Sequence, residues 1–176
     1  VQTEVLYQTA LDFADLKGTE TVADLYCGAG TISLLLAKKA KQVIGIEIVP
    51  PAIEDAKENA RANGIENTQF YAAAAEELLP KLVQQGLKPD VVMLDPPRKG
   101  CEEAVLEAIC QCAPEKVVYI SCDVATQARD AKYLTAHGYT AVKCQSVDMF
   151  CLTGHIENVL LFVKAQEEKN EYLCNH

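Results

Sequence analysis

The chain has 176 residues, about the size of one domain, and a formal net charge of −9. Domains that grip nucleic acid on their own are usually basic, so this charge argues against strong RNA or DNA binding by the chain alone, although not against a catalytic domain whose partner domain holds the polymer. No apolar run approaches the roughly 18 residues that span a bilayer, and the first residues lack a signal-peptide pattern. We therefore expect a cytoplasmic protein that does not enter membranes.

The eight cysteines are predicted to be free thiols. Without a secretion signal, a reducing cytosol is the expected environment. The chain has no C-x-x-C pair, and Cys110 and Cys112 stand two apart on a predicted helix, where side chains point to different faces. We therefore predict no metal site.

Short apolar, β-branched segments alternate with longer helical segments. Strands are predicted at 22–26, 43–48, 68–71, 91–94 and 117–120, and helices at 4–15, 32–40, 52–63, 75–85, 103–112 and 125–137. This alternation predicts a doubly wound, mostly parallel α/β sheet. Two further strands, 140–147 and 158–163, have no long helix between them and predict a closing antiparallel pair. We expect one domain over 1–166, followed by a polar tail at 167–176.

A glycine-rich turn follows the first predicted strand. Gly28 and Gly30 let the backbone turn sharply and approach a ligand, and Glu47, ending the second strand, can accept hydrogen bonds from two ribose hydroxyls. A dinucleotide fingerprint requires a third glycine where Ser33 stands. Asp24 would repel a pyrophosphate but attract the ammonium of a methionine moiety. The turn therefore favours S-adenosylmethionine over NAD, while a tight turn without a ligand remains the alternative.

Two prolines end the fourth strand and hold Asp95 at the carboxyl edge of the sheet, beside the expected crevice. Amino-directed methyltransferases are similar here, but they carry an aromatic residue after the prolines to stack on a flipped base. Arg98 stands at that position. It is a candidate contact for a substrate phosphate, or else a solvated loop charge.

Ser121 and Cys122 end the fifth strand in the same row of loops. A helix that starts after Cys122 would favour a thiolate, while Asp123 would oppose it, so the net effect stays open. Cys122 is either a nucleophile or a buried structural thiol. Glu157, before the last apolar run, is a candidate general base or a solvated carboxylate. His155 is interpreted as a hydrogen-bonding support, with a second acid/base or a surface residue as alternatives.

With these features together, the chain resembles the RNA (uracil-5-)-methyltransferase family, which acts on tRNA and ribosomal RNA. The serine–cysteine motif and the G-H-x-E motif are specific in combination, and the resemblance extends to about residue 164. The matching segments are EVLY (4–7), DLYCGAGTISL (24–34), GIEIVPPAIEDAKENARANGIEN (45–67), LDPPRKG (94–100), YISCDVATQARD (119–130) and DMFCLTGHIENVLLF (148–162).

The resemblance implies a Rossmann-like class I S-adenosylmethionine-dependent methyltransferase that acts on a uridine in RNA, with ribosomal RNA favoured over tRNA. Cys122 would add to uracil C6, C5 would take the methyl group, and Glu157 would remove the C5 proton. Uracil C5 is too weak a nucleophile for direct transfer, so covalent activation has a physical reason. The resemblance also implies that the cofactor site is lined by Asp24, Tyr26, Gly28, Gly30, Glu47 and Asp95.

Several positions depart from the family pattern. Val124 stands where proline usually follows the S-C-[DN] triplet, and Cys151 and Leu152 stand where many members have proline and histidine. Ala73 and Ala74 occupy positions where a polar or acidic residue often lies near the adenine, with Glu76 expected to be too far along the chain. We therefore expect an altered adenine contact.

Upstream family segments do not occur in this sequence. These are an aromatic-aromatic-Gln segment that would touch the cofactor and an N-terminal RNA-binding module with any iron–sulfur cysteines that it carries. Because the chain starts at Val1 without an initiator methionine, we expect a catalytic domain that was part of a longer protein, with RNA gripped by the other part. The alternatives are methylation of another target, such as a base amino group or a protein side chain, and a cofactor-binding domain without catalysis.

Overall fold

The computed structural model describes residues 2–149 and 156–165. Seven strands are present there: β1 Thr21–Leu25, β2 Gln42–Glu47, β3 Thr68–Ala72, β4 Val91–Leu94, β5 Lys116–Ser121, β6 Tyr139–Asp148 and β7 Ile156–Lys164. Six helices accompany them: α1 Gln2–Ala14, α2 Thr31–Ala37, α3 Pro50–Ala62, α4 Ala75–Gln84, α5 Glu103–Cys112 and α6 Val124–Ala136. No helix among the described residues is long and apolar enough to cross a membrane.

The strands form one sheet in the order β3-β2-β1-β4-β5-β7-β6. β1 to β5 run parallel, and β7 lies antiparallel between β5 and β6. The predicted doubly wound α/β fold with an antiparallel closing pair is therefore confirmed. The order reverses at β1, between β2 and β4, and such a reversal opens a crevice at the carboxyl ends of the strands.

Helices cover both faces of the sheet, which explains the uniformly apolar strands. All four residues of β4 are buried, as are the last four of β1. The α1 and α2 side is packed by residues such as Leu6 and Leu36, and the α4, α5 and α6 side by Leu79, Ile109 and Leu134. Burial on both faces selects β-branched and aliphatic residues in place of an alternating pattern.

Most element boundaries differ from those predicted by one or two residues, and the end of α2 differs most. α2 ends at Ala37 and not at residue 40, because the N–H groups of Lys39 and Ala40 both donate to the carbonyl of Leu36 and turn the chain towards β2. β6 runs to Asp148 as an edge strand that leaves 140–146 exposed. Its pairing with β7 shifts register between Ala141 and Lys143, an irregularity common at sheet edges.

One edge of the sheet collects the loops that matter for function. The carboxyl ends of β1, β2, β4 and β5 lie there because these strands are parallel. Because β7 runs the opposite way, it begins at this edge, and its Asn158 pairs with Ser121 at the end of β5. The start of the last strand therefore lies beside the end of the fifth.

Gly30 is predicted to tolerate alanine less well than Gly28. Both have positive φ, +80° and +53°, where alanine costs about 1–2 kcal/mol. A Cβ at Gly30 would lie 3.0 Å from the Cβ of Ala56 and 3.2 Å from the ring of Phe70, whereas one at Gly28 meets no atom within 4 Å. Gly30→Ala should therefore lose roughly 1–3 kcal/mol more of unfolding free energy than Gly28→Ala. Urea denaturation of both variants measures this, and equal losses would contradict it.

Candidate active site

The turn after β1 has an unusual backbone. Tyr26, Gly28 and Gly30 all have positive φ values, 66°, 53° and 80°. The Cys27 N–H donates to the carbonyl of Ile46 (3.1 Å), and the Gly30 N–H donates to the carbonyl of Cys27 (2.9 Å). A tyrosine in the left-handed region is strained, and such strain concentrates at ligand sites. The turn thus presents backbone and the Tyr26 side chain to the crevice.

Glu47 reaches back from the end of β2 to this turn. One carboxylate oxygen accepts the N–H of Gly28 at 3.1 Å, and the other accepts the N–H of Val49 at 3.0 Å. These two bonds fix the orientation of a half-buried carboxylate. It is therefore held ready to accept hydrogen bonds from neighbouring hydroxyl groups.

Two cavities meet at Tyr26 and Asp95, which line both of them. The larger has a volume of about 340 Å³ and includes Glu47. The smaller, about 190 Å³, is bounded by the glycine turn, Asp24 and Tyr7. Small-molecule sites have volumes of about 300–1,000 Å³, so the pair provides room for an elongated ligand with two different ends.

The walls of the larger cavity suit a flat ring with polar edges. Its apolar side consists of Ile48, Pro97 and 73–75. Glu76 also lines this cavity, although its place in the sequence suggested that it lies too far along the chain. α4 begins at Ala75, which puts Glu76 in its first turn at the sheet edge.

Asp24 lines the smaller cavity from almost complete burial. It is 1% exposed, and it accepts a hydrogen bond from the hydroxyl of Ser33. Burial raises the pKa of Asp24 to about 7, the Ser33 hydrogen bond opposes this shift, and the nearby charge of Asp95 adds to it. Ser33, the residue that breaks the dinucleotide fingerprint, is thus the partner of this acid.

Asp95 and Glu157 extend this acidic region towards β7. Desolvation by the surrounding protein atoms raises the pKa of Asp95, and the charge of Glu157 raises it further. Because the Asp95 side chain is open to the cavity, water still screens part of this repulsion. Asp24, Asp95 and Glu157 therefore surround one region that favours a positive charge.

Tyr7 of α1 is a site residue that the sequence reasoning did not identify. It lines the smaller cavity, and its pKa is raised first by burial and then by Asp95, Asp24 and Glu157. The available signal was a tyrosine next to Leu6 on the buried stripe of an amphipathic helix. That pattern alone is typical of packing.

The turn that carries Cys122 is held from both sides. The Ser121 hydroxyl accepts the N–H of Asp123 at 3.0 Å, and the Asp123 carboxylate caps α6 by accepting the N–H of Thr126 at 3.0 Å. Cys122 itself is half-buried, so its thiol is not enclosed in the core. Cys122 does not line either of the two cavities, but its partial burial leaves the thiol open to a substrate that enters from the sheet edge.

Cys122 and Glu157 lie at the same end of two paired strands. Ser121 pairs with Asn158 in this antiparallel pair. Cys122, which follows Ser121, and Glu157, which precedes Asn158, therefore both lie at the sheet edge. Gln127 of α6 stabilises the pairing of β5 with β7, because its buried amide donates to the carbonyls of Tyr119 (3.0 Å) and Asn158 (3.3 Å).

Arg98 lies in the exposed loop after β4, near the Cys122 turn. Its carbonyl accepts the hydroxyl of Thr126 at 3.0 Å. Its charge lowers the pKa of Asp123, in addition to the larger effect of the Thr126 N–H. His155 belongs to 150–155, which lie outside the described residues. Among 2–149 and 156–165, no group of three or more His, Cys, Asp or Glu side chains is arranged to hold a metal ion.

The sequence matches the family model for tRNA (uracil-5-)-methyltransferase over residues 4–165. A relative from Clostridium tetani, named an uncharacterized RNA methyltransferase, is 54% identical over 96% of this chain and 37% of its own length. A Listeria innocua relative with the same kind of name is 57% identical over 90% of this chain and 35% of its own. The chain thus spans little more than a third of the length of these relatives.

Solved structures agree with the fold. The Pyrococcus abyssi tRNA (uracil-54, C5)-methyltransferase in complex with S-adenosyl-L-homocysteine has a TM-score of 0.78 and 31% identity, covering 90% of this chain and 37% of that protein. The precorrin-6y C5,15-methyltransferase of Geobacter metallireducens has a TM-score of 0.75 at 15% identity, over 91% and 89% of the two chains, which is a likeness of fold alone. The family match and the identities lead to one conclusion: this chain belongs to the tRNA (uracil-5-)-methyltransferase family.

Proposed function

We propose that this chain is the catalytic domain of an enzyme that uses S-adenosylmethionine to methylate C5 of a uridine in RNA. The observation that carries the proposal is that Cys122, directly after β5, and Glu157, the second residue of β7, lie at the same sheet edge as the two cavities. Family membership supports it, as does the P. abyssi enzyme, which is named for uracil C5 and is bound to the demethylated cofactor.

The residues around the two cavities fit this cofactor. Glu47 is oriented to accept the ribose hydroxyls, and 73–75 with Pro97 offer apolar surface to the adenine. Asp24 and Asp95 at the smaller cavity attract the cationic methionine end. When bound, the cofactor supplies an electrophilic methyl group.

The residues at the edge of β5 and β7 account for the activation of uracil. The Cys122 thiolate would form a bond to C6, and the electrons of the C5–C6 double bond would pass to the C4 carbonyl as an enolate. C5 would then take the methyl group. Glu157 would remove the C5 proton, the double bond would re-form, and the S–C6 bond would break to free the thiolate. Two easier steps thus replace one hard one.

Arg98 and the acidic balance bear on the substrate. A cation beside the Cys122 turn suits a phosphate next to the target uridine, while a net charge of −9 leaves most of the RNA affinity to other parts of the protein. Sequence reasoning favours ribosomal RNA, whereas the P. abyssi enzyme is named for a tRNA uracil. Both RNA classes therefore belong in any assay.

Cys122→Ala in the full-length protein should lower methyl transfer by at least about 10³-fold, because uracil C5 loses its activation. Glu157→Gln should instead accumulate a covalent protein–RNA adduct, since the C5 proton can no longer leave. The measurements are radiolabelled transfer to mixed tRNA and rRNA, nucleoside analysis for 5-methyluridine, and denaturing gels for the adduct.

Cys144→Ala is the matched control, because Cys144 is an exposed thiol on β6. It should keep wild-type activity. A folded, fully active Cys122→Ala protein would refute the covalent scheme. A methylated product other than 5-methyluridine would favour another target, and cofactor binding without any turnover would favour a non-catalytic domain.

The raised pKa of Asp24 predicts two opposite pH trends. The unfolded chain ionises this acid at its ordinary, lower pKa, so the unliganded fold binds the proton more tightly than the unfolded chain does. The free energy of unfolding should therefore fall as pH rises from about 4 to about 7, by on the order of 3 kcal/mol. Affinity for S-adenosylhomocysteine, whose homocysteine end carries an ammonium, should rise through the upper part of that window as the acid ionises.

Asp24→Asn isolates both trends, because an asparagine oxygen can still accept the Ser33 hydroxyl. The variant should flatten both profiles relative to the parent. Urea unfolding and calorimetry at pH 5, 6, 7 and 8 measure them. Parallel profiles in parent and variant would contradict the assignment of Asp24 to the cationic end of the cofactor.

A further inference from the structure

Side chains in the first two turns of α6 form hydrogen bonds with the loop that follows β4. The Thr126 hydroxyl donates to the carbonyl of Arg98 at 3.0 Å. The guanidinium of Arg129 donates to the carbonyls of Lys99 (3.0 Å) and Cys101 (3.2 Å). We call these contacts, together with those of Asp130, the latch.

Asp130 is the centre of the latch and is 1% exposed. One carboxylate oxygen accepts the N–H of Cys101 at 2.8 Å and the hydroxyl of Tyr119 at 2.7 Å. The other accepts Nε of Arg129 at 2.8 Å. A buried charge is tolerated only when its hydrogen-bonding capacity is used, and here that happens in one relative position of loop, helix and β5.

Gly100 shows how closely the loop approaches the helix. Its φ is +78°, and a Cβ built there would lie 2.5 Å from Nη2 of Arg129 and 2.7 Å from Oδ2 of Asp130. Contacts this short do not occur without movement of the neighbours. A side chain at Gly100 would therefore displace Arg129 and Asp130 from their positions in the latch.

The loop relies on this external support because its own bonds hold it weakly. Pro96 and Pro97 have no N–H to donate. The Gly100 N–H donates to the carbonyl of Pro97 at 2.8 Å, which closes a local turn without fixing its direction. The ion pair between Lys99 and Glu102 is solvent-exposed, and such pairs contribute little.

The latch joins the loop after β4 to α6. The loop lies beside the cofactor cavity, and the helix lies beside Cys122. The loop provides Asp95, Pro97 and Lys99 to the walls of the larger cavity. α6 begins at Val124, two residues after Cys122, with Asp123 as its N-cap. Resting on the proposed function, we propose that Asp130 is a positioning residue for methyl transfer, because the latch fixes the cofactor-side loop relative to the thiol.

Asp130→Asn and Gly100→Ala in the full-length protein test this by independent routes. The first removes the charge that pairs with Arg129, and the second inserts a methyl group into the contact. Each should lower kcat for RNA methylation by at least about ten-fold, since small misplacements of reacting groups have large effects on rate. Affinity for S-adenosylhomocysteine should fall by less than kcat does, because Asp95 and Pro97 on the loop shift while Glu47 and the glycine turn stay in place.

A second readout does not require turnover. The rate at which iodoacetamide alkylates Cys122, followed by mass spectrometry of its peptide, should rise in both variants as the turn loosens. Amide exchange at Cys101 should also accelerate. If the parent protein makes no 5-methyluridine, the proposed function fails, and these two measurements still decide whether the latch holds the thiol and the loop.

Two controls separate positioning from general destabilisation. Gly86→Ala changes a glycine with φ +98° and no atom within 4 Å of its Cβ. Ile109→Val weakens the core packing of α5 but removes none of the hydrogen bonds of the latch. Both should keep kcat and the alkylation rate. The proposal is overturned if Gly100→Ala behaves like Gly86→Ala. It is also overturned if folded Asp130→Asn matches the parent in both kcat and the alkylation rate of Cys122. If Asp130→Asn fails to fold, Gly100→Ala decides.

Discussion

The antiparallel pairing of β7 with β5 is the constraint on which the site depends. A parallel strand would have begun at the opposite edge of the sheet and carried Glu157 there. The hydrogen-bonded register that matches Ser121 with Asn158 instead brings the start of β7 beside the end of β5. Cys122 and Glu157, which are 35 positions apart in the sequence, therefore reach one edge through backbone hydrogen bonds, before any side-chain contact is considered.

The same edge concentrates negative charge. Asp24 is buried, Asp95 lies at the junction of the two cavities, and the charge of Glu157 acts on Asp95. Carboxylates held this close disfavour one another's ionised forms. A positively charged ligand relieves that repulsion, so part of the free energy for binding is stored in the unliganded fold. Glu157 belongs to this group, which couples the proposed base electrostatically to the cofactor cavity.

The sequence allowed prediction of the parts of the fold that follow from local patterns. Apolar runs alternating with helices predict a doubly wound sheet, and glycines after a strand predict a ligand-binding turn. Tyr7 and Glu76 were missed because their roles depend on where α1 and α4 pack. The latch was missed for the same reason: Asp130 meets Cys101 across 29 positions, and nothing near either residue signals the contact. His155 stays a prediction.

The acidity of the chain makes rigid positioning more important. A surface with a net charge of −9 contributes little general attraction to a polyanion, so we expect this domain to act on a uridine that other parts of the protein deliver. The domain then has little RNA-binding energy of its own with which to correct the position of a misplaced thiol. The geometry must already be present, and the buried carboxylate of Asp130, the close approach at Gly100 and the Gln127 bridge to β7 each fix one element of it. These contacts tie the cofactor loop, the Cys122 turn and the strand of Glu157 into one unit.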